Sequence, residues 1–92
     1  MPLALGLRPR RVADYRFEEL DGELLIYRFA DTKVLYCNDT ASLIWHLCDG
    51  DTTIAEMTVL LAAAYPDAAA DIPTHLDDTL GEFLRQGFVT LA

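Results

Sequence analysis

From Tyr15 onward the apolar positions change period. Between Arg16 and Cys37 they fall at every second residue or in short β-prone runs, broken by Asp21-Gly22 and by Ala30-Asp31-Thr32. An Asp-Gly pair between two such runs predicts a two-residue hairpin, because a type I′ turn needs positive φ at both central positions. The pattern therefore predicts three strands, at Arg16–Leu20, Glu23–Phe29 and Lys33–Cys37, joined as an antiparallel meander. The outer two strands of a meander are its edges.

After Cys37 the spacing becomes three and four, which is the period of a helix. Asn38 or Asp39 is placed to N-cap a first helix running to Cys48, with Gly50 suited to the left-handed position beyond its end. Its apolar residues cover most of its circumference and leave a narrow polar stripe of Asp39, Ser42, His46 and Asp49, so it should sit centrally. Thr53-Ile54-Ala55-Glu56 reads as a capping box opening a second helix, with Ile54, Met57, Leu60, Leu61, Ala64 and Tyr65 as its buried stripe. Pro66 stops it, and residues 66–70 make a linking turn. Asp71 is the expected cap of a third helix, with Pro73 in its first turn and Ile72, Leu76, Leu80, Phe83 and Leu84 facing the core. Gly87 ends it, and Phe88 to Leu91 form a short extended tail. The fold expected is α+β, in the order β-β-β-α-α-α, with a three-stranded antiparallel sheet and a helix-turn-helix made by the last two helices.

Residues 1–14 have no period. Pro2, Gly6, Pro9, Arg8, Arg10 and Arg11 predict a flexible N-terminal arm, leaving residues 15–92 as the domain. A chain of 92 residues has room for one core and none for a second domain or a deep enzyme cleft. Cys37 and Cys48 make no disulfide framework, the first residues hold no signal-peptide core, and no run is long enough to cross a bilayer. A cytoplasmic protein with reduced thiols is expected.

The formal net charge of −8 is unevenly placed. Residues 1–38 balance six bases against six acids, whereas residues 39–92 hold nine acids and one base, Arg85. This weighs against the DNA-binding role that the element order suggests. The recognition helix of a winged-helix binder would be Asp71–Gln86, which bears Asp71, Asp77, Asp78 and Glu82 against Arg85. Phosphates flanking the groove would repel it.

Catalysis finds no footing either. His46 and Cys48 are two apart on a helix and point to different sides, and His75 stands far along the chain. No C-x-x-C or H-x-x-x-H spacing occurs, so no metal site is expected. Asp77 and Asp78 diverge by about 100° of helical rotation, which is no geometry for a carboxylate pair. These residues give no positive evidence for catalysis.

The feature without an assigned partner is the edge of the third strand. Lys33, Val34, Leu35, Tyr36 and Cys37 carry one charge and no proline. Proteins guard exposed edges with charges, proline or bulges. An unguarded edge is covered by another segment, here the tail at 88–91, or is used to bind an extended peptide by strand addition.

The run Leu20-Asp21-Gly22-Glu23 through Tyr36-Cys37-Asn38-Asp39-Thr40-Ala41 resembles the PqqD-like family, as do Ile44-Trp45-x-Leu47-Cys48-Asp49-Gly50, Thr53-Ile54-Ala55-Glu56 and Gln86-Gly87-Phe88-Val89. The resemblance spans about Tyr15 to Leu91. It implies a winged helix-turn-helix-like fold and a precursor-peptide recognition element of ribosomally made, modified peptides, a non-catalytic peptide chaperone. Such a domain binds the leader of a precursor beside the third strand and presents it to a modifying enzyme, often a radical SAM protein. The product would be pyrroloquinoline quinone (PQQ), a lasso peptide or another modified peptide.

Carried onto this chain, the resemblance gives Lys33 to Cys37 the backbone ladder, and Leu76, Thr79, Leu80 and Phe83 of the third helix the groove wall. Cys37 departs from the Leu that members often carry there. The acids of the third helix would attract Lys or Arg in the leader or the enzyme. Two other roles remain in view, a winged-helix DNA-binding protein and a protein–protein adaptor using the same sheet edge. The edge would also allow a homodimer.

Overall fold

A computed structural model describes residues 3–92. Strand β1 (Pro9–Arg11) is followed by β2 (Arg16–Leu20), β3 (Glu23–Arg28) and β4 (Lys33–Cys37). Helices α1 (Asp39–Leu47), α2 (Ile54–Ala64) and α3 (Ile72–Arg85) come next, with a 3₁₀ helix at Pro66–Asp71 before α3 and strand β5 (Val89–Leu91) at the end. The sheet β2-β3-β4 is antiparallel throughout, with Glu19 opposite Leu24, Leu24 opposite Cys37 and Ile26 opposite Leu35. The expected α+β order is present. Asp21 and Gly22 both have positive φ, 54° and 81°, as the tight hairpin requires.

The core lies between the inner face of this sheet and the three helices. Leu24, Ile26 and Cys37 meet Ile44 and Trp45 of α1, Ile54, Met57 and Leu61 of α2, and Ile72, Leu76, Leu80 and Phe83 of α3. Trp45 is its centre, with ring centroids of Tyr15, Phe83 and Phe88 at 5.1, 5.6 and 6.3 Å in edge-on geometry. Aromatic pairs prefer that arrangement because a positive ring edge meets a negative face.

The stretch read as a loose arm contains β1, which pairs antiparallel with the tail: Pro9 lies opposite Leu91 and Arg11 opposite Val89. Residues 1 and 2 lie outside the described residues. On its other side β1 bonds the loop after α1, with Arg11 N–H donating to Cys48 O at 3.0 Å and Gly50 N–H to Pro9 O at 2.9 Å. Farther upstream, the carbonyls of Leu7 and Leu5 accept from Ile54 and Ala55 N–H, two of the donors a helix start leaves open. The Arg11 side chain closes the C-terminal end of α1 by donating to the carbonyls of Trp45 and His46. Backbone pairing holds this segment, helped by buried Pro9 and by Leu3 and Leu7 against the core, and these apolar residues follow no strand or helix period.

Other local expectations meet the structure unevenly. Asn38 is the N-cap of α1, and the capping box at Thr53 and Glu56 closes in both directions. Gly50 is left-handed at φ 82°, but α1 ends at Leu47 with Cys48 as its C-cap, so Gly50 stands two residues beyond the cap. Phe29 lies outside β3 and is exposed. Asp71 caps nothing with its side chain, because the 3₁₀ helix runs directly into α3 and Asp71 already has helical φ and ψ. Ser42, assigned to the polar stripe, is buried and donates to Cys37 O at 3.2 Å. Leu60 and Ala64, assigned to the buried stripe of α2, are exposed. Helix α2 packs mainly on α3 and the 3₁₀ helix, so only a narrow face is covered.

Candidate functional site

The expected edge is present and open. Strand β4 is an outer strand, and the tail that could have covered it is paired with β1 instead. Among the described residues no strand pairs with the outer edge of β4. Its side chains divide as a pleated strand requires. Val34 and Tyr36 point outward and are 63% and 60% exposed, Lys33 and Leu35 are half-buried, and Cys37 is in the core. Burial pushes the Cys37 thiol up to about 11. That thiol is a packing group. The carboxylate of Glu23 beside Tyr36 raises the phenol above its ordinary value, chiefly through a hydrogen bond. With Leu25, which lies opposite Tyr36 and is 40% exposed, Val34 and Tyr36 form an apolar patch on the outer face of β3 and β4.

The helix residues expected in the groove wall separate. Leu76, Leu80 and Phe83 are 1%, 0% and 2% exposed, so in the free protein they belong to the core. Thr79 alone of the four is partly exposed. It shares a row along α3 with His75 and Glu82, at spacings of four and three. Leu76, Leu80 and Phe83 follow the helix's apolar stripe, whereas Thr79 lies on the accessible flank beside it. His75, four residues before Thr79, was the signal available in the sequence.

Arg28 is the residue that fixes this helix against the sheet, and sequence reading gave it no role. It stands at the end of β3 with its side chain only 13% exposed. Its guanidinium donates to the carbonyls of Gln86, at 3.2 Å, and Gly87, just past the end of α3. It also pairs with Asp31 at 2.5 Å and lies 5.1 Å above the Phe88 ring. A cation at a helix C-terminus meets unsatisfied carbonyls and the negative end of the dipole. Gly87 allows this approach: its φ is 77°, and a Cβ there would sit 3.0 Å from the guanidinium nitrogens.

Of the cavities that border α3, one lies at the start of the helix. It has a volume of about 210 Å³ and is lined by Thr40, Tyr65, Ala68, Asp71, Ile72 and His75. It sits where the first turn of α1 meets the 3₁₀ helix and the start of α3. Among the described residues no group of three His, Cys, Asp or Glu side chains is placed to hold a metal. No helix among them is long and apolar enough to cross a membrane.

The family model of coenzyme PQQ synthesis protein D (PqqD) matches residues 23–89, which contain β3, β4, all three helices and the cavity. The chain belongs to the PqqD family. No curated protein matches it, and no solved structure does. The match begins at the hairpin turn, so β1 and β2 lie outside it while β4 and α3 lie within. In this PqqD-family chain the open edge, the Arg28 anchor and the cavity all fall in the matched part.

Proposed function

We propose that this protein binds the leader of a ribosomally made precursor peptide as an added strand on β4 and presents it to a modifying enzyme of the radical SAM type. Family membership points to the precursor of PQQ as the first peptide to try. The observation that carries the reading is the open β4 edge, which has a single charged residue and whose natural cover, the tail, is engaged elsewhere. Strand addition supplies main-chain hydrogen bonds for affinity and leaves side chains to select sequence. In this reading the protein works in the cytoplasm, carries no cofactor and catalyses nothing itself. Residues Lys33 to Cys37 supply the ladder, and Thr79 with its neighbours on α3 supplies the far wall.

The test is a titration of isotope-labelled protein with a synthetic leader of a PQQ precursor peptide. Amides of β4 and of the Thr79 flank of α3 should shift together. Shifts confined to other elements, or none, would reject the reading. An adaptor that uses the edge for a protein alone would show β4 shifts with the enzyme and none with the leader. Retention on DNA at low salt, lost steeply as salt rises, would instead favour the winged-helix reading.

A further inference from the structure

We propose that the cavity lined by Thr40, Tyr65, Ala68, Asp71, Ile72 and His75 receives one apolar side chain of the bound leader, adjacent in the leader to a Lys or Arg. The inference rests on the strand-addition reading and adds to it where the selecting pocket lies.

Position is the first argument. Thr40 follows the last residue of β4 by three positions, so its backbone is at most about 11 Å from the strand's end. On the opposite wall, His75 is one helical turn from Thr79 in the same row of α3. The cavity therefore lies near the Cys37 end of β4, within reach of a strand added there. Size is the second. At about 210 Å³ the space is below that of a small-molecule site, for which roughly 300–1,000 Å³ is usual, and suits a single branched or aromatic side chain.

Chemistry is the third. Tyr65, Ala68 and Ile72 make an apolar wall, while Asp71 brings a carboxylate to the lining. The surrounding charge has one sign. Asp67, Asp78 and Glu82 lie on the same two elements, and their one base, Arg85, is already paired with Glu82. An apolar side chain beside a cation fits that arrangement, and one beside an acid does not.

The experiment fills the cavity and asks the leader to report it. Ala68 lines the space from the exposed 3₁₀ helix, and exposed Ala69 beside it is outside the lining. Wild-type protein, Ala68→Trp and Ala69→Trp are titrated with the synthetic leader of a PQQ precursor. Leaders with each apolar residue changed in turn to Ala are titrated alongside. Ala68→Trp should bind at least about tenfold more weakly, the equivalent of 1.4 kcal/mol. Ala69→Trp should bind as wild type does. For one leader variant alone the loss from Ala68→Trp should vanish, because the removed side chain is the one the cavity held. If Ala68→Trp loses its native spectrum, Ala68→Leu fills the same space with less bulk. Unchanged affinity in the filled variant, with β4 amides still shifting, overturns the pocket and leaves strand addition standing. Silent β4 amides in the wild type overturn both.

Discussion

Among the described residues the three-stranded sheet has two free edges, and they are built differently. Strand β2 places Arg16, Glu18 and Glu19 in five residues, whereas β4 places only Lys33 in five. Charges along an edge discourage pairing with another chain, so β2 is guarded and β4 is not. The supports behind the two edges differ as well. On the β2 side the tie to α1 is Glu19 to His46 Nε2 at 3.2 Å, with both side chains about half exposed. Exposed pairs of that kind contribute about 0–1 kcal/mol. At the end of β3 that pairs only with β4, where Arg28 lies opposite Lys33, the sheet is held to α3 by the largely buried Arg28 side chain. The bare edge is thus the firmly supported one. A rigid edge loses little conformational freedom when a peptide pairs with it, which favours binding.

Removing the firm support gives the largest expected effect. Arg28→Ala takes away charge-assisted bonds to Gln86 and Gly87 and the stacking on Phe88, and should lower stability by about 3 kcal/mol. Urea unfolding reads this as a lower midpoint at unchanged slope. Gly87→Ala attacks the same junction from the other side, forcing a Cβ into left-handed backbone and against the guanidinium. It should cost about 1–2 kcal/mol. A loss under about 0.5 kcal/mol in both would mean that the β4 side is no better fixed than the β2 side. Asp31 adds a pH signature. Its carboxyl is held below the ordinary 3.8, first by the hydrogen bond from Arg28. Its contribution is therefore present above that value and lost as pH falls through the depressed one, and Asp31→Asn should flatten that part of the acid limb.

The next effect falls on binding. Successive N–H groups of a strand point to opposite edges, so of Leu35→Pro and Tyr36→Pro one removes an outward donor and the other breaks the ladder to β3. The outward variant should keep the native amide spectrum and bind the leader at least about tenfold more weakly. The matching pair in β2, Phe17→Pro and Glu18→Pro, should contain a folded variant whose leader affinity is unchanged. Equal losses from both strands would erase the distinction between the edges.

Much of this contrast was legible in the sequence, for a physical reason. The meander is built from local pairings, and local turns announce themselves: Asp21-Gly22 must take positive φ, and both residues do. Strand β4 is found where the alternation places it, and the capping box at Thr53 follows from its two side chains. The pairing of β1 with β5 was not legible, because Pro9 and Leu91 stand at opposite ends of the chain and β1 has no apolar alternation. The placement of the α3 residues was half legible. An apolar stripe marks what a helix buries, so Leu76, Leu80 and Phe83 were found as core residues, and the accessible flank with His75 and Thr79 lies beside it. Arg28 was missed because its partners are backbone carbonyls nearly 60 residues away, and carbonyls leave no trace in a sequence.

The smallest effect is the one that tests whether the β2 side takes any part. His46 touches Glu19 at 3.2 Å and the Phe17 ring edge-on at 6.3 Å, and these link β2 to α1 by side chains alone. His46→Ala should lower stability by about 0.5 kcal/mol, as expected for an exposed pair and one aromatic contact. Glu19→Ala should cost no more, and the double variant should fall short of the sum, since both changes delete one interaction. Leader affinity should stay at the wild-type value in all three. The cause is placement: β3 stands between β2 and β4, and its inner side chains Leu24 and Ile26 are fixed in the core whether or not β2 is tied down. A clear fall in affinity on His46→Ala would mean that the guarded edge transmits to the open one, and β2 would then belong to the binding unit.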